Sequence, residues 1–207
     1  MKFVTNILAV LAMLFAIPAF AQQAPEQGYT LLSPPQPTQS GKKIEVLEFF
    51  FYGCPHCFHL HPALSAWEKK MPKDVELTLV PTIFNPNWEP MANTFYALEA
   101  LGKQKELHDA LYQAWAGNNI LVEKDTIADF VAKHGVDKQK FTDLYNSFSV
   151  QSKVTRSKQM TVGYHIQGTP TLIVDGKYVI TGLQPDETIR VLDEVIRMAR
   201  KERTGRH

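Results

Sequence analysis

The chain has 207 residues, of which 44% are hydrophobic and 21% are charged, with 22 Lys and Arg against 21 Asp and Glu. These proportions are typical of a globular protein and exclude a disordered chain, a collagen-like repeat and a long coiled coil. The balanced charge and the lack of a block of basic residues argue against nucleic acid as a partner. The 2 cysteines are too few for a disulfide framework, so a hydrophobic core must hold the fold together.

The first 21 residues have the three parts of a secretory signal peptide. Lys2 supplies the positive charge, residues 7–17 are apolar, and Ala19 and Ala21 are the small residues that precede a cleavage site. The apolar run is shorter than the roughly 20 residues of a membrane span, which argues against a permanent anchor. We therefore expect export, with cleavage between Ala21 and Gln22, to a compartment where disulfides persist.

The first half of the mature chain predicts a β-α-β unit. A short edge strand at 29–32 and a proline-rich linker precede it. The first main strand, 44–51, is nearly all apolar from Val46 onward, as expected for a strand that is covered on both faces. A helix follows, and residues 75–80 alternate as the second strand.

The rest of the chain predicts a helical block and then a β-β-α unit. Residues 90–158 carry only helical patterns, and Asp125 and Asp137 are predicted to cap two of these helices. The pair Asp175-Gly176 predicts the turn of a β-hairpin, and an amphipathic helix ends the chain. The layout is therefore β-α-β, a helical block and then β-β-α, which indicates the α/β fold class.

Both cysteines lie in one motif, Cys54-Pro55-His56-Cys57, which leaves the buried strand and opens a helix. Pro55 suits the first helical turn. A sulfur at a helix N-terminus meets unpaired backbone N–H groups and the positive end of the helix dipole, and a donating His56 would add to both. These groups favour the thiolate of Cys54, which stabilises the reduced form and makes the disulfide oxidising.

Three other interpretations of the motif remain. A purely structural disulfide would close so small a loop that it adds little stability. A c-type haem site needs His directly after the second cysteine, and position 58 is Phe. Zinc is the strongest alternative, because Cys54, Cys57, His59 and His61 are four candidate ligands, although helical spacing separates His59 from His61. We expect redox chemistry and no metal.

The segment 49–57 with its CPHC motif, the later Gly168-Thr169-Pro170 and the helical block between them resemble the DsbA thiol:disulfide oxidoreductases, which are periplasmic members of the thioredoxin superfamily. The resemblance runs from about Tyr29 to the C-terminal helix. It implies a thioredoxin fold with an inserted all-helical domain. The expected organisation is a signal peptide (1–21), the N-terminal half (22–83), the insertion (84–157) and the C-terminal half (158–207).

The resemblance also implies roles for the motif. Cys54 would be the exposed nucleophile and Cys57 its buried resolving partner, while Pro55 and His56 would set the redox potential.

The same resemblance makes Thr169-Pro170 the family's cis-proline site, with Pro170 packed against the cysteines and the Thr169 backbone pairing with substrate peptide. From the residues alone, Pro170 could instead start an edge strand after a trans bond.

Glu48 lies six residues before Cys54 in an otherwise apolar strand. Burial would raise its pKa and suit it to carry protons to and from the cysteines. The resemblance places the family's buried acid here, accompanied in better-known members by a lysine on the neighbouring strand. Our predicted register puts Leu79 at that position. The alternative is that Glu48 faces solvent at a strand edge.

The remaining features predict packing. His59 and His61 are expected at the surface, and Trp88 and Trp115 in a core. Nothing in the sequence indicates a site for a flavin or a nicotinamide. We therefore expect a monomeric oxidase of exported proteins without a cofactor, and the resemblance implies a membrane quinone-linked, DsbB-type partner that reoxidises it. A reductase or isomerase of the same superfamily and a metal-binding periplasmic module are the alternatives.

Overall fold

A computed structural model describes residues 27–118 and 121–205. The predicted signal peptide and its cleavage site lie outside these residues. Within them, no helix combines the length and the apolar character that crossing a membrane requires.

In the described part of the chain, five strands form one mixed sheet in the order β1-β5-β4-β2-β3. The parallel pair β2 and β3 is joined through a helix, and the other neighbours are antiparallel. β2 is buried along its whole length, as its apolar run predicted. The strands are β1 Thr30–Leu31, β2 Ile44–Phe50, β3 Val75–Pro81, β4 Thr171–Val174 and β5 Tyr178–Thr181.

The helices follow the predicted order, with α1 between β2 and β3, α2–α6 between β3 and β4, and α7 after β5. They are α1 Pro55–Glu68, α2 Glu89–Ala100, α3 Gln104–Ala116, α4 Lys124–Lys133, α5 Lys138–Tyr145, α6 Phe148–Gly163 and α7 Pro185–Thr204, with a 3₁₀ turn at Pro86–Trp88 before α2. The helical block is thus confirmed, and α6 continues across position 157. The assignment of domain boundaries stays a prediction.

The two predicted helix caps have different outcomes. The Asp137 side chain accepts a hydrogen bond from the Lys140 N–H at 2.8 Å and caps α5 as expected. The prediction for Asp125 is wrong, because the extended residue that precedes α4 is Glu123 and Asp125 already lies in the first helical turn. There its negative charge faces the positive end of the helix dipole.

The β4–β5 hairpin turns at Asp175-Gly176, as predicted. Both residues have left-handed backbone angles, with φ of 54° and 66°, which a tight two-residue turn requires. The Gln36 N–H donates to the Gly176 carbonyl at 2.8 Å, and a Cβ on Gly176 would lie 2.0 Å from the Gln36 oxygen. The proline-rich linker therefore packs directly on the hairpin.

Side chains of β2 alternate between two layers of the core. Leu47 and Phe49 join a cluster with Tyr164 at the end of α6. Val46 packs with α1 and α7, and Phe50 with the helical block. Since alternate residues of a strand share a face, Glu48 lies on the face of Val46 and Phe50, toward α1.

Candidate active site

The motif sits where β2 passes into α1. Cys54 is the N-cap residue, with φ −90° and ψ 116°, and Pro55 is the first helical residue, as predicted. Gly53 is packed so closely that a Cβ would lie 2.5 Å from the Phe51 ring and 2.8 Å from Trp115. A glycine at this position lets the aromatic side chains close over the turn that presents Cys54.

The two cysteines are free and lie in different environments, since Cys54 is half-buried and Cys57 fully buried. A hydrogen bond from the Cys57 thiol, with others from the Thr169 side chain and from the N–H groups of Cys57 and His56, lowers the pKa of Cys54 to about 5. Burial and the neighbouring Cys54 raise the pKa of Cys57 far above its usual range. Near neutral pH, the reduced pair is a Cys54 thiolate beside a Cys57 thiol.

His56 acts on Cys54 through its backbone N–H, which is among the groups that lower the Cys54 pKa. Its side chain and that of Pro55 are exposed. The sequence had suggested an effect of the imidazole ring, whereas the main-chain effect follows from the first turn of any helix.

The loop before β4 contacts the motif, although 115 positions of sequence separate Thr169 from Cys54. The Cys54 sulfur lies 3.1 Å from the Thr169 carbonyl oxygen, to which it donates when it is protonated. The Thr169–Pro170 peptide bond is cis, as the family resemblance implied. The structure thus brings Thr169 and Pro170 to the redox pair.

Glu48 is buried beneath α1, with 3% of its surface exposed. Its partners across the sheet are Leu79 on β3 and Leu172 on β4, so the predicted register is confirmed. Desolvation, with a smaller effect of the Glu68 charge, raises the pKa of Glu48 to about 8. The carboxyl group is therefore mostly protonated at neutral pH, and its charge in turn raises the pKa of Cys57.

A groove of about 350 Å³ runs beside the motif. It is bordered by the start of α1, the cis-proline loop and the connection from β5 to α7. Its lining includes His56, His59, Leu60, Thr169, Pro170 and Leu183. A peptide lying in this groove would pass next to Cys54.

The candidate zinc ligands do not converge. His59 is exposed, whereas the His61 Nε2 atom lies 2.5 Å from the Asp109 carboxylate on α3. Among the described residues, no group of three or more His, Cys, Asp and Glu side chains is arranged to hold a metal. His61 is partly exposed, with 19% of its side chain accessible beside α3.

Trp88 and Trp115 are half-buried and pack beside the active-site turn. Trp88 stacks on Phe51, with ring centroids 3.8 Å apart and planes 6° from parallel. The ring centroids of Trp115 and Phe51 lie 5.3 Å apart in an edge-to-face arrangement. Trp115 also donates its indole N–H to the Met91 sulfur at 3.3 Å. Both tryptophans pack against the core, as predicted.

A buried polar group that was not predicted lies behind the motif. The Tyr52 hydroxyl lies 2.8 Å from Nδ1 of His108, and the Gln104 amide nitrogen lies 3.0 Å from the same atom. Desolvation lowers the pKa of His108 to about 3, so its ring is neutral. The spacing of Gln104, His108 and Tyr112 places them on one helix face and is the signal that could have revealed this group.

Comparisons with known proteins agree with this geometry. The family model described as a DSBA-like thioredoxin domain matches residues 45–191. The thiol:disulfide interchange protein DsbA of Bordetella parapertussis is 38% identical over 206 residues, covering 95% of this chain and 97% of that protein. The protein of the same name from Pseudomonas aeruginosa PAO1 is 34% identical over 203 residues, covering 93% and 96%.

Solved structures give the same result. The crystal structure of Pseudomonas aeruginosa DsbA superposes with a TM-score of 0.82 at 35% identity, over 86% of this chain and 94% of that one. The oxidoreductase DsbA from Xylella fastidiosa superposes with a TM-score of 0.79 at 33% identity, over 84% and 95%. The matched length includes the helical block between β3 and β4, as well as the sheet.

Proposed function

Because this chain belongs to the DsbA family of thiol:disulfide oxidoreductases, with the thioredoxin fold and the helical insertion of that family, we propose that it works in the oxidising direction. It donates the Cys54–Cys57 disulfide to newly exported proteins. The observation that carries this proposal is the position of the half-buried Cys54 sulfur at the N-terminus of α1, where the Cys57 thiol and the N–H groups of the first turn lower its pKa to about 5. A thiolate that is stable at neutral pH stabilises the reduced enzyme, and so makes the disulfide a stronger oxidant.

The reaction begins when a substrate thiolate attacks the Cys54 sulfur. The Cys54–Cys57 bond breaks, a bond from Cys54 to the substrate forms, and Cys57 leaves with the electron pair. A second substrate thiolate then attacks the substrate sulfur of this mixed disulfide, and Cys54 leaves as a thiolate. The substrate loses two electrons and gains a disulfide, and the enzyme pair is reduced.

Glu48 supplies the proton that Cys57 needs. Cys57 is fully buried and its pKa is raised far above the usual range, so its sulfur takes up a proton as it leaves. Glu48 is buried under the same helix with a pKa of about 8, which leaves it protonated at neutral pH. Transfer gives a Cys57 thiol and a Glu48 carboxylate, which solvent later reprotonates. Overall, one of the two substrate protons stays on Cys57 and the other is released.

The substrate peptide binds beside Cys54 and pairs with the backbone of Thr169. The Thr169 carbonyl lies 3.1 Å from the Cys54 sulfur, and the groove beside it has room for an extended segment. His56 and Pro170 line this groove, and the exposed Pro55 lies between Cys54 and His56. These three residues are the proposed determinants of redox potential and of substrate access.

The cellular setting follows from the N-terminal sequence and the family. The pattern of residues 1–21 supports export to the periplasm and cleavage after Ala21. The reduced enzyme must be reoxidised by another protein, and a membrane quinone-linked protein of the DsbB type fits the resemblance. The N-terminal residue of the exported protein tests the first point, with Gln22 as the expected result.

Two variants test the roles of the cysteines. Cys57→Ala leaves the nucleophile without its resolving partner, so mixed disulfides with exported proteins should accumulate on Cys54. They would be detected as reducible adducts after alkylation and gel electrophoresis. Cys54→Ser is the matched control and should form none. If adducts form equally in both variants, or in neither, Cys54 is not the nucleophile.

A further inference from the structure

Tyr112 ends in a buried hydroxyl group with no hydrogen-bond partner among the described residues. The residue is 1% exposed. An unpaired buried hydroxyl costs stability, a cost that phenylalanine in its place would avoid. The hydroxyl therefore calls for an explanation beyond packing.

The Tyr112 ring lies between the strand that carries Glu48 and the helix that carries Cys57. It packs 6.2 Å from the ring of Phe50, which shares the strand face of Glu48. It also lies 6.1 Å from Phe58, the residue after Cys57. On the same helix, one turn beyond Cys57, His61 packs 5.1 Å from Tyr112. These contacts place the ring between the two elements that carry Glu48 and Cys57.

The electrostatics agree with this position. Desolvation raises the pKa of Tyr112 well above its usual range, and the charges of Glu48, Cys57, Tyr52 and Cys54 raise it further. Of these charges, that of Glu48 has the largest effect. Tyr112 therefore stays protonated, and its O–H is a hydrogen-bond donor close enough to Glu48 for the Glu48 charge to raise its pKa.

We propose that Tyr112 is a positioning residue for proton transfer between Glu48 and Cys57. Its hydroxyl donates, directly or through one water, to the carboxylate that Glu48 becomes when it has given its proton to Cys57. In the protonated resting state the donor is unpaired, and it gains its partner as charge appears on Glu48. The inference rests on the proposed role of Glu48 and extends it to a residue on α3.

The titratable side chains that face Tyr112 determine the pH range over which the test is informative. From α1 it faces Cys57 and His61, from the strand-to-helix turn Tyr52, and from its own helix His108. His108 stays neutral because its pKa is lowered to about 3.

The test is a double-substitution cycle with Tyr112→Phe and Glu48→Gln. The purified mature protein in its oxidised form is mixed with a dithiol peptide, and the rate of disulfide transfer is followed by acid quench and alkylation from pH 5 to 9. Tyr112→Phe should slow the transfer roughly fivefold, the effect of one hydrogen bond. It should have no further effect when Glu48 is already Gln. Tyr96→Phe is the matched control, since that buried hydroxyl pairs with Ser157 in the helical block.

A second readout separates this role from a structural one. The pKa of Glu48, followed by ¹³C NMR of its labelled carboxyl group, should rise in Tyr112→Phe and stay unchanged in Tyr96→Phe. Equal transfer rates in Tyr112→Phe and the wild type would overturn the inference, and so would a rate loss that persists in the Glu48→Gln background. If the wild type transfers no disulfide, the proposed function fails, and the Glu48 titration still tests Tyr112.

Discussion

Cys54 and Glu48 show how one fold moves two pKa values in opposite directions. The N-terminus of α1 and the Cys57 thiol donate hydrogen bonds to a half-buried sulfur, so the charged form of Cys54 is favoured. Glu48 lies under the same helix with Leu79 and Leu172 as its cross-strand neighbours, so the neutral form is favoured. A stable thiolate and a protonated carboxyl group thus coexist near neutral pH.

The buried carboxyl group should make stability depend on pH. The folded-state pKa of about 8 exceeds the ordinary value of 4.5, so folding favours the protonated form. This contribution is complete below about pH 4.5 and is lost as the pH rises through about 8. In the oxidised protein, where the cysteines do not titrate, Glu48→Gln should gain about 2–5 kcal/mol over the wild type between pH 5 and 9. Urea unfolding across this range measures it, and a constant difference would contradict the burial argument.

Individual residues differ in how far the sequence predicts them. Cys54, Cys57 and Glu48 follow from a local pattern, since a buried strand that enters a helix places all three. The contacts of Tyr112 and His61 do not follow from a local pattern, because they depend on how α3 packs against α1, about 50 positions away in the sequence. The prediction of a cis bond before Pro170 came from the family resemblance, and no local preference would have predicted it.

Among the helices, strands and turns, the sequence predicted an element correctly where its geometry requires one residue type. It did not where several residue types fit the same geometry. A turn with two left-handed residues needs Asp-Gly or a close equivalent, and the β4–β5 hairpin was predicted correctly. A helix can begin at any of several neighbouring residues, so α4 begins before the Asp125 cap that was predicted. Close approaches such as that of Gly53 to Trp115 have no sequence signal.

The hairpin offers a test with a matched control. Gly176 and Gly41 both have left-handed angles, with φ of 66° and 63°. A Cβ on Gly176 would collide with the Gln36 carbonyl, whereas one on Gly41 would meet nothing within 4 Å. Gly41→Ala should therefore cost about 1 kcal/mol of unfolding free energy from backbone strain, and Gly176→Ala clearly more. Equal losses in urea unfolding would show that the linker does not pack on the hairpin as described.

At the scale of the whole molecule, the redox pair couples chemistry to folding. The thiolate of Cys54 is more stable in the folded than in the unfolded protein, because its folded-state pKa is about 5 against an ordinary 9.0. This stabilisation belongs to the reduced protein, grows as the pH rises above about 5 and is lost as the pH falls through that value. A disulfide whose only role was to cross-link the structure would instead make the oxidised protein the more stable form.

The reduced protein should therefore be more stable than the oxidised protein at pH 7. Because the sulfur is half-buried and partly screened by solvent, we expect a difference of about 1–2 kcal/mol. The difference should shrink at pH 4. Urea midpoints of the two forms at both pH values measure it, and a more stable oxidised form at pH 7 would show that Cys54 is not a stabilised thiolate.

The most direct test of the oxidase function is the equilibrium of Cys54 and Cys57 with glutathione buffers, measured on the purified mature protein by alkylation of free thiols. A stabilised Cys54 thiolate predicts a potential near or above that of protein disulfide isomerase, about −180 mV. A potential near that of thioredoxin, about −270 mV, would contradict it and would identify a reductase.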